Sequence, residues 1–248
     1  SFQCWVSDLG RRFLPSRGSS WRTLYYAKAG SRDRFNARAQ IIADATGIAL
    51  ETVAPAFEEV SQEFLRVHIT QQRTPHPREA IPMLSERLGF RMSDEDAAAL
   101  ADAISGGFTA HPPEMIASAL DAVRAAASLV PVGLISDTGM TPGTEIRALL
   151  DRAGFGEHIR AFSFSDEVGV AKPQSAIFRH AASELGVDPD ALLHLGDLEP
   201  TDIVGALNVG AQAGLFAGDN RKYVDGTRAA YVFPTWSTFS ERLPRLID

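Results

Sequence analysis

The sequence has little of what marks secreted, nucleic-acid-binding or membrane proteins. It has one cysteine, Cys4, which excludes an internal disulfide framework and fits a reducing compartment. Its 24 basic residues are outnumbered by 31 acidic ones, for a net charge of −7, and no basic cluster offers a surface to nucleic acid. No apolar run approaches the ~20 residues that span a membrane, and residues 1–8 lack the charged start of a signal peptide. We therefore expect a cytoplasmic protein of enzyme size that binds neither nucleic acid nor membrane.

The chain has instead a regular alternation of short apolar runs and helical patterns. Strands that alternate with helices of roughly 10–15 residues are typical of βαβ units and a parallel sheet. The pattern predicts the α/β class, with a doubly wound parallel sheet. The predicted strands are Phe2–Val6, Val130–Ile135, Ile159–Phe164, Leu192–Leu195, Ala211–Phe216 and Ala229–Phe233. The predicted helices of this part are Glu114–Ser128, Thr144–Ala153, Ala176–Leu185, Thr201–Val209 and Thr238–Ile247.

The segment between the first two strands has helical patterning only. It ends at a predicted linker, residues 109–113, because the pair Pro112-Pro113 cannot continue a helix. We therefore expect an all-helical cap domain, residues 16–111, inserted into a core domain of residues 1–15 and 112–248. The predicted cap helices are Arg34–Thr46, Leu50–His68, Pro77–Leu88 and Ser93–Ile104.

The most informative stretch runs from Leu192 to Phe216. Its first strand ends in Gly196-Asp197, and a second carboxylate, Asp202, follows where a helical pattern begins. Open α/β sheets bind their ligands at the carboxyl ends of their strands. Two carboxylates that converge there favour a hard cation, and Mg²⁺ prefers such oxygen ligands. The alternative is that one carboxylate caps the helix and the other is solvated.

Further polar residues follow other predicted strands. Asp8 comes after the first strand and Ser136 after the second, and Lys172 lies in a loop that opens a helix. At these positions the chain resembles the haloacid dehalogenase superfamily, most closely phosphatase-like members with a helical cap inserted after the first strand. The segments that carry the resemblance are Leu134-Ile135-Ser136-Asp137-Thr138 for the second motif, Val170-Ala171-Lys172-Pro173 for the third and Gly196-Asp197-Leu198-Glu199-Pro200-Thr201-Asp202 for the fourth.

The resemblance implies a role for each of these residues. Asp8 would attack phosphorus and form a phosphoaspartyl intermediate that water hydrolyses. Asp8, Asp197 and the backbone carbonyl of Gly10 would hold Mg²⁺, which neutralises the phosphate charge, and Asp202 would brace the waters of the metal. The phosphoryl group would be bound by residues of the second and third motifs, namely Ser136, Asp137 and Lys172.

The first motif, residues 7–14, departs from the family pattern. Phosphatases of the family carry a second aspartate two residues after the nucleophile, where this chain has Gly10. Glycine supplies neither an acid for the leaving group nor a base for water, a function worth about 10²–10⁴-fold in rate. The next residues, Arg11 and Arg12, fit phosphate recognition because a guanidinium matches phosphate oxygens; they are equally compatible with a solvated turn.

Three explanations of this departure are open. The acid or base could come from a histidine of the cap, His68, His76 or His111. The leaving group could need no proton, as in an acyl phosphate. Or the chain has given up hydrolysis and binds a phosphorylated ligand or partner.

The sequence therefore supports three functional hypotheses. The first is a Mg²⁺-dependent hydrolase of small phosphorylated molecules, and the second is a silent or very slow relative that binds such a molecule or a partner. The third is dehalogenation of a haloacid, which also dispenses with the second aspartate. That chemistry needs no metal, however, so the retention of Asp197 and Asp202 disfavours it.

Overall fold

A computed structural model describes residues 3–8 (backbone), 23–26 and 30–247. Its strands are β1 (Gln3–Asp8), β2 (Val132–Ser136), β3 (Ala161–Phe164), β4 (Leu192–Gly196), β5 (Gln212–Phe216) and β6 (Tyr231–Phe233). They form one parallel sheet in the order β3-β2-β1-β4-β5-β6. Chain progression reverses at β1, and such a switch point opens a crevice at the carboxyl ends of the strands. The predicted doubly wound parallel sheet is confirmed.

Helices cover both faces of this sheet. The α-helices of the described residues are, in chain order, α1 (Ser31–Thr46), α2 (Leu50–Gln71), α3 (Ala80–Leu88), α4 (Asp94–Ser105), α5 (Gly107–Ala110), α6 (Ala119–Ala127), α7 (Gly143–Arg152), α8 (Ser165–Val168), α9 (Ser175–Leu185), α10 (Val204–Leu207) and α11 (Trp236–Ile247). Helices α6, α7 and α11 share one buried cluster with the sheet, and α9 and α10 share another. Adjacent strand residues point to opposite faces, so Leu134 belongs to the first cluster and Ile135 to the second.

The helices α1 to α4 have a hydrophobic core of their own. In α2, apolar residues recur at helical spacing, and Val53, Phe57, Val60 and Phe64 are buried. They pack against buried residues of α1, α3 and α4 in a cluster to which the sheet contributes no buried residue. Every regular element within the described residues 30–110 is helical. The division into a core and a cap stays a prediction, which this separate cluster supports.

The predicted helix Glu114–Ser128 is wrong at its start, since α6 begins at Ala119. Met115 instead forms an antiparallel bridge with Tyr25. Backbone groups that bond to another segment cannot also form the first turn of a helix.

Other predicted boundaries also differ from those of the structure. The predicted helix Thr201–Val209 is a π-helical turn, Glu199–Ile203, followed by α10. The last strand begins at Tyr231 rather than Ala229. The predicted linker begins two residues too early, because α5 runs to Ala110. None of the helices in the described segments is long and apolar enough to cross a membrane.

Candidate active site

Three adjacent strands end side by side at the carboxyl edge of the sheet. Asp8, the last residue of β1, is in register with Ser136, the last residue of β2. On the other side of β1, Val6 is in register with Leu195, so β4 reaches Asp197 at the level where β1 reaches Asp8. The side chains of Ser136 and Asp197 are fully buried. The backbone thus brings together three residues that the sequence singled out.

Lys172 and Asp202 form a buried ion pair beside this edge. The Lys172 Nζ donates to Asp202 Oδ1 at 2.8 Å, and both side chains are 0% exposed. Asp202 Oδ2 accepts a hydrogen bond from the Leu198 backbone N–H at 3.0 Å. Burial alone would raise the pKa of the Asp202 carboxyl, but Lys172 and His194 hold that pKa well below its ordinary value. Asp202 is therefore ionised and fixes the Lys172 ammonium in place.

Close packing explains the glycine before Asp197. A Cβ on Gly196 would clash with Cβ and Cγ of Asp202. The close approach of the Asp202 side chain to the strand thus requires a glycine at position 196.

Asn220 holds Asp197, and the sequence reasoning missed it. Its Nδ2 donates to Asp197 Oδ2 at 3.0 Å and to the Asp197 carbonyl oxygen at 3.1 Å. Asn220 is buried in the loop after β5. The signal that could have found it is the one used for Asp197: a polar residue that follows an apolar strand at the ligand-binding edge.

Asp137 connects the loop after β2 to two other segments. Its Oδ1 accepts a hydrogen bond from the Lys172 backbone N–H at 2.8 Å, and its Oδ2 lies 3.5 Å from His68 Nε2 of α2. Burial favours a raised pKa for the Asp137 carboxyl, but Lys172 and His68 outweigh it and lower that pKa. An ionised Asp137 thus faces protein groups with both oxygens; its assignment to substrate binding stays a prediction.

The three histidines of the predicted cap differ in their surroundings. His68 is 4% exposed and contacts Asp137. His76 is exposed, and its Nδ1 accepts a hydrogen bond from the Arg78 N–H at the start of a 3₁₀ turn. His111 is exposed, and its carbonyl oxygen accepts from Arg34. Of the three predicted donors, the structure brings His68 to the site.

Asp197, just after β4, is the described residue that would supply a side-chain ligand to the predicted magnesium site. A cluster of three His, Cys, Asp or Glu side chains that could hold a metal does not occur among the described residues. Asp197 supplies one buried carboxylate, and the other predicted ligands come from the first motif. Two carboxylates and a backbone carbonyl are the oxygen donors that suit Mg²⁺, so the donor chemistry fits. Gly10, Arg11 and Arg12 lie outside the described residues.

Comparison with known proteins gives the same family as the motifs. The sequence model of the haloacid dehalogenase-like hydrolases matches residues 20–210, a range that holds the second to fourth motifs. Pyrimidine 5'-nucleotidase YjjG of Escherichia coli (strain K12) is 32% identical over 124 residues, which are 50% of this chain and 50% of that protein. The chain thus matches about half the length of this relative.

Solved structures share the fold over nearly their whole length. The HAD-hydrolase YfnB of Bacillus subtilis, bound to magnesium, gives a TM-score of 0.63 at 14% identity, with 100% of this chain and 99% of that chain covered. The 2-haloacid dehalogenase of Pseudomonas syringae pv. Tomato DC3000 gives 0.67 at 18%, with coverage of 99% and 100%. The HAD phosphatase of Thermococcus onnurineus gives 0.61 at 15%, with coverage of 98% and 98%. The sheet order, the motifs on its carboxyl edge and the matched range together show that this chain belongs to the haloacid dehalogenase-like hydrolases.

Proposed function

We propose that this hydrolase is a Mg²⁺-dependent phosphatase of small phosphorylated molecules, with Asp8 as its nucleophile. The observation that carries the proposal is the meeting of Ser136, Asp197 and the Lys172–Asp202 pair at the sheet edge where β1 ends in Asp8. A hydroxyl donor, a buried cation and carboxylates are the groups that phosphoryl transfer requires.

In the proposed reaction the Asp8 carboxylate oxygen forms a bond to phosphorus, and the bond from phosphorus to the leaving oxygen breaks. Water then attacks the phosphoaspartate, releases inorganic phosphate and restores the carboxylate. Mg²⁺, held by Asp8, Asp197 and the Gly10 carbonyl, would neutralise phosphate charge that otherwise repels the nucleophile.

Lys172 and Ser136 would bind the phosphoryl oxygens. The ammonium of Lys172 has three N–H donors, and it donates to Asp202; in the proposed complex it would also donate to a phosphoryl oxygen. Because both members of the pair are 0% exposed, the donor is oriented before substrate arrives. Such preorganised donors stabilise a transition state more than mobile ones do.

His68 does not fit the role of the missing acid. Its Nδ1 faces Thr74 Oγ1 at 3.2 Å and its Nε2 faces Asp137, so both ring nitrogens already contact protein groups. We therefore infer that the enzyme works without a strong proton donor and prefers substrates with good leaving groups. Hydrolysis of the intermediate is then slow, since Gly10 supplies no base.

The test is phosphate release from a panel of phosphate esters, sugar phosphates, nucleoside monophosphates and acetyl phosphate, with Mg²⁺ or with EDTA. The nucleoside monophosphates are included because the Escherichia coli relative is a pyrimidine 5'-nucleotidase. Asp197→Asn should abolish the metal-dependent release. Asp190→Asn removes the same charge from an exposed position near the amino end of β4 and should leave release unchanged.

The panel also separates the alternatives. If the folded protein releases phosphate from none of these substrates, the phosphatase proposal is contradicted and the hypothesis of a binding protein is favoured. Release of chloride from a chlorinated carboxylic acid in EDTA would favour the dehalogenase hypothesis, whose fold a structural neighbour shares.

A further inference from the structure

The end of helix α2 docks onto the loops of the second and third motifs. The Gln72 carbonyl oxygen accepts hydrogen bonds from the Ala171 backbone N–H and from Gln174 Nε2, both at 2.9 Å. Two residues further on, Thr74 Oγ1 lies 2.6 Å from Ser165 Oγ. Residues 68–74, which we call the docking segment, thus contact the loop of the third motif and the start of α8.

One contact of the docking segment leads directly to the phosphate site. His68 is 4% exposed, and its ring spans from Thr74 Oγ1 at 3.2 Å to Asp137 Oδ2 at 3.5 Å. The other oxygen of Asp137 accepts the Lys172 backbone N–H at 2.8 Å. A continuous polar chain therefore runs from the docking segment to the backbone of the residue whose ammonium pairs with Asp202.

We propose that His68 is a positioning residue, which sets the Lys172 backbone through Asp137 and so couples the seating of the docking segment to the phosphate site. The inference rests on the proposed function for its effect on catalysis, but the coupling itself is a property of the fold. Lys172 is fixed at two points, its backbone N–H and its ammonium. Loss of one point leaves the side chain able to shift.

A shift of Lys172 should lower the reaction rate. A buried carboxylate oxygen that loses its partner turns toward other donors, because leaving it unsatisfied is costly. Asp137 would then hold the Lys172 N–H less well. A misplacement of about 1 Å at a group that binds the transition state can cost as much as ~10²-fold in rate.

The first experiment measures amide hydrogen exchange at Lys172 by NMR on isotope-labelled protein. His68→Leu should speed this exchange by about tenfold, because opening of the loop becomes easier. His68→Gln, which keeps a donor that can face Asp137, should recover most of the protection and guards against a misfolded leucine variant. Gln174→Ala is the matched control: it removes another hydrogen bond of the docking segment without touching Asp137.

The second experiment measures kcat and KM for the best substrate of the panel with the same variants. His68→Leu should lower kcat/KM by about tenfold, with most of the loss in kcat, whereas Gln174→Ala should leave it within about twofold. Rescue by His68→Gln is expected here too. A merely structural role would lower Tm in both His68→Leu and Gln174→Ala without separating their kcat values.

The results of the two experiments test the positioning role of His68 and the phosphatase proposal separately. Unchanged exchange at Lys172 in His68→Leu, with Tm lowered, overturns the positioning role and leaves the phosphatase proposal standing. Faster exchange at Lys172 in a protein that hydrolyses no phosphate ester supports the coupling and contradicts the phosphatase proposal. Equal exchange rates in His68→Leu and Gln174→Ala would overturn the special role of His68.

Discussion

The sheet core and the helical block each bury a cation, and they stabilise it differently. Lys172 in the core pairs with a carboxylate, Asp202, at 2.8 Å, and both are fully buried. Arg38 of α1 is 9% exposed, and its guanidinium donates to neutral oxygens. Those acceptors are the carbonyls of Ile104 and Met140 and the hydroxyl of Thr141. No carboxylate lies within ion-pair distance of Arg38 among the described residues.

This difference decides what each cation leaves behind when it is removed. Burial and the nearby charge of Arg34 lower the pKa of Arg38 to about 10. Replacement of Arg38 by an apolar residue leaves three neutral acceptors without their donor. Removal of Lys172 leaves an ionised carboxylate buried in the protein. Lys172 and Asp202 therefore depend on each other for their stability, whereas Arg38 joins α1 to α4 and to the loop after β2 through neutral acceptors.

The largest effect is expected for Lys172→Met. It should lower the free energy of unfolding by about 3–5 kcal/mol, because the buried Asp202 carboxylate loses its partner. Urea unfolding of the variant checks this value. The double variant Lys172→Met/Asp202→Leu should recover much of the loss without restoring activity; equal stability of the single and double variants would contradict the account of the pair.

A smaller loss is expected for Arg38→Met. The methionine fills part of the volume, and the acceptors that lose their donor are neutral. One such buried neutral group costs about 1–3 kcal/mol when it is left unsatisfied, which is less than the cost of a buried charge that loses its partner. The same urea unfolding gives the comparison. If Arg38→Met lowers the free energy of unfolding as much as Lys172→Met does, the difference between neutral and charged partners does not explain the stability of the two sites.

The smallest effect concerns His194, the buried neighbour of the ion pair. Its Nε2 lies 3.6 Å from Asp202 Oδ1, and neither ring nitrogen has a hydrogen-bond partner among the described residues. Burial lowers the pKa of His194 below its ordinary value of 6.5. Because the unfolded chain then takes up the proton first, stability should fall as pH drops below about 6.5, by up to ~1.4 kcal/mol per unit of pKa difference.

His194→Leu should flatten this slope. Urea unfolding at several pH values between the ordinary pKa of His194 and that of the carboxyls checks the prediction. The lowered pKa values of Asp137 and Asp202 act at lower pH: their stabilisation is present above the unfolded pKa of about 4 and is lost as pH falls further. An identical slope in wild type and variant would show that His194 is not the group responsible.

Residues at strand ends were predictable because parallel strands bring their carboxyl ends to one edge. The register of Asp8 with Ser136, and the place of Asp197 after β4, follow from that rule. The contacts that orient these residues were not predictable. Asn220 contacts Asp197 although 23 positions separate them in the sequence. His68 of α2 contacts Asp137 of the loop after β2.

The same limit applies to the helix boundaries. The periodic pattern before Ala119 is helical in isolation, but the bridge between Tyr25 and Met115 removes the backbone groups that a first turn needs. Local pattern thus predicts the elements, and pairing with distant segments moves their ends.

The most direct test of the central claim is to trap the phosphoaspartate. The enzyme is mixed with acetyl phosphate and Mg²⁺, quenched in acid, and its peptides are mapped by mass spectrometry. We expect a phosphoryl group on Asp8 in wild type, none in Asp8→Asn, and a smaller trapped fraction in Gly10→Asp, where a carboxylate can activate water. Phosphate release with no phosphorylated peptide, or with the phosphoryl group on another residue, would contradict this claim.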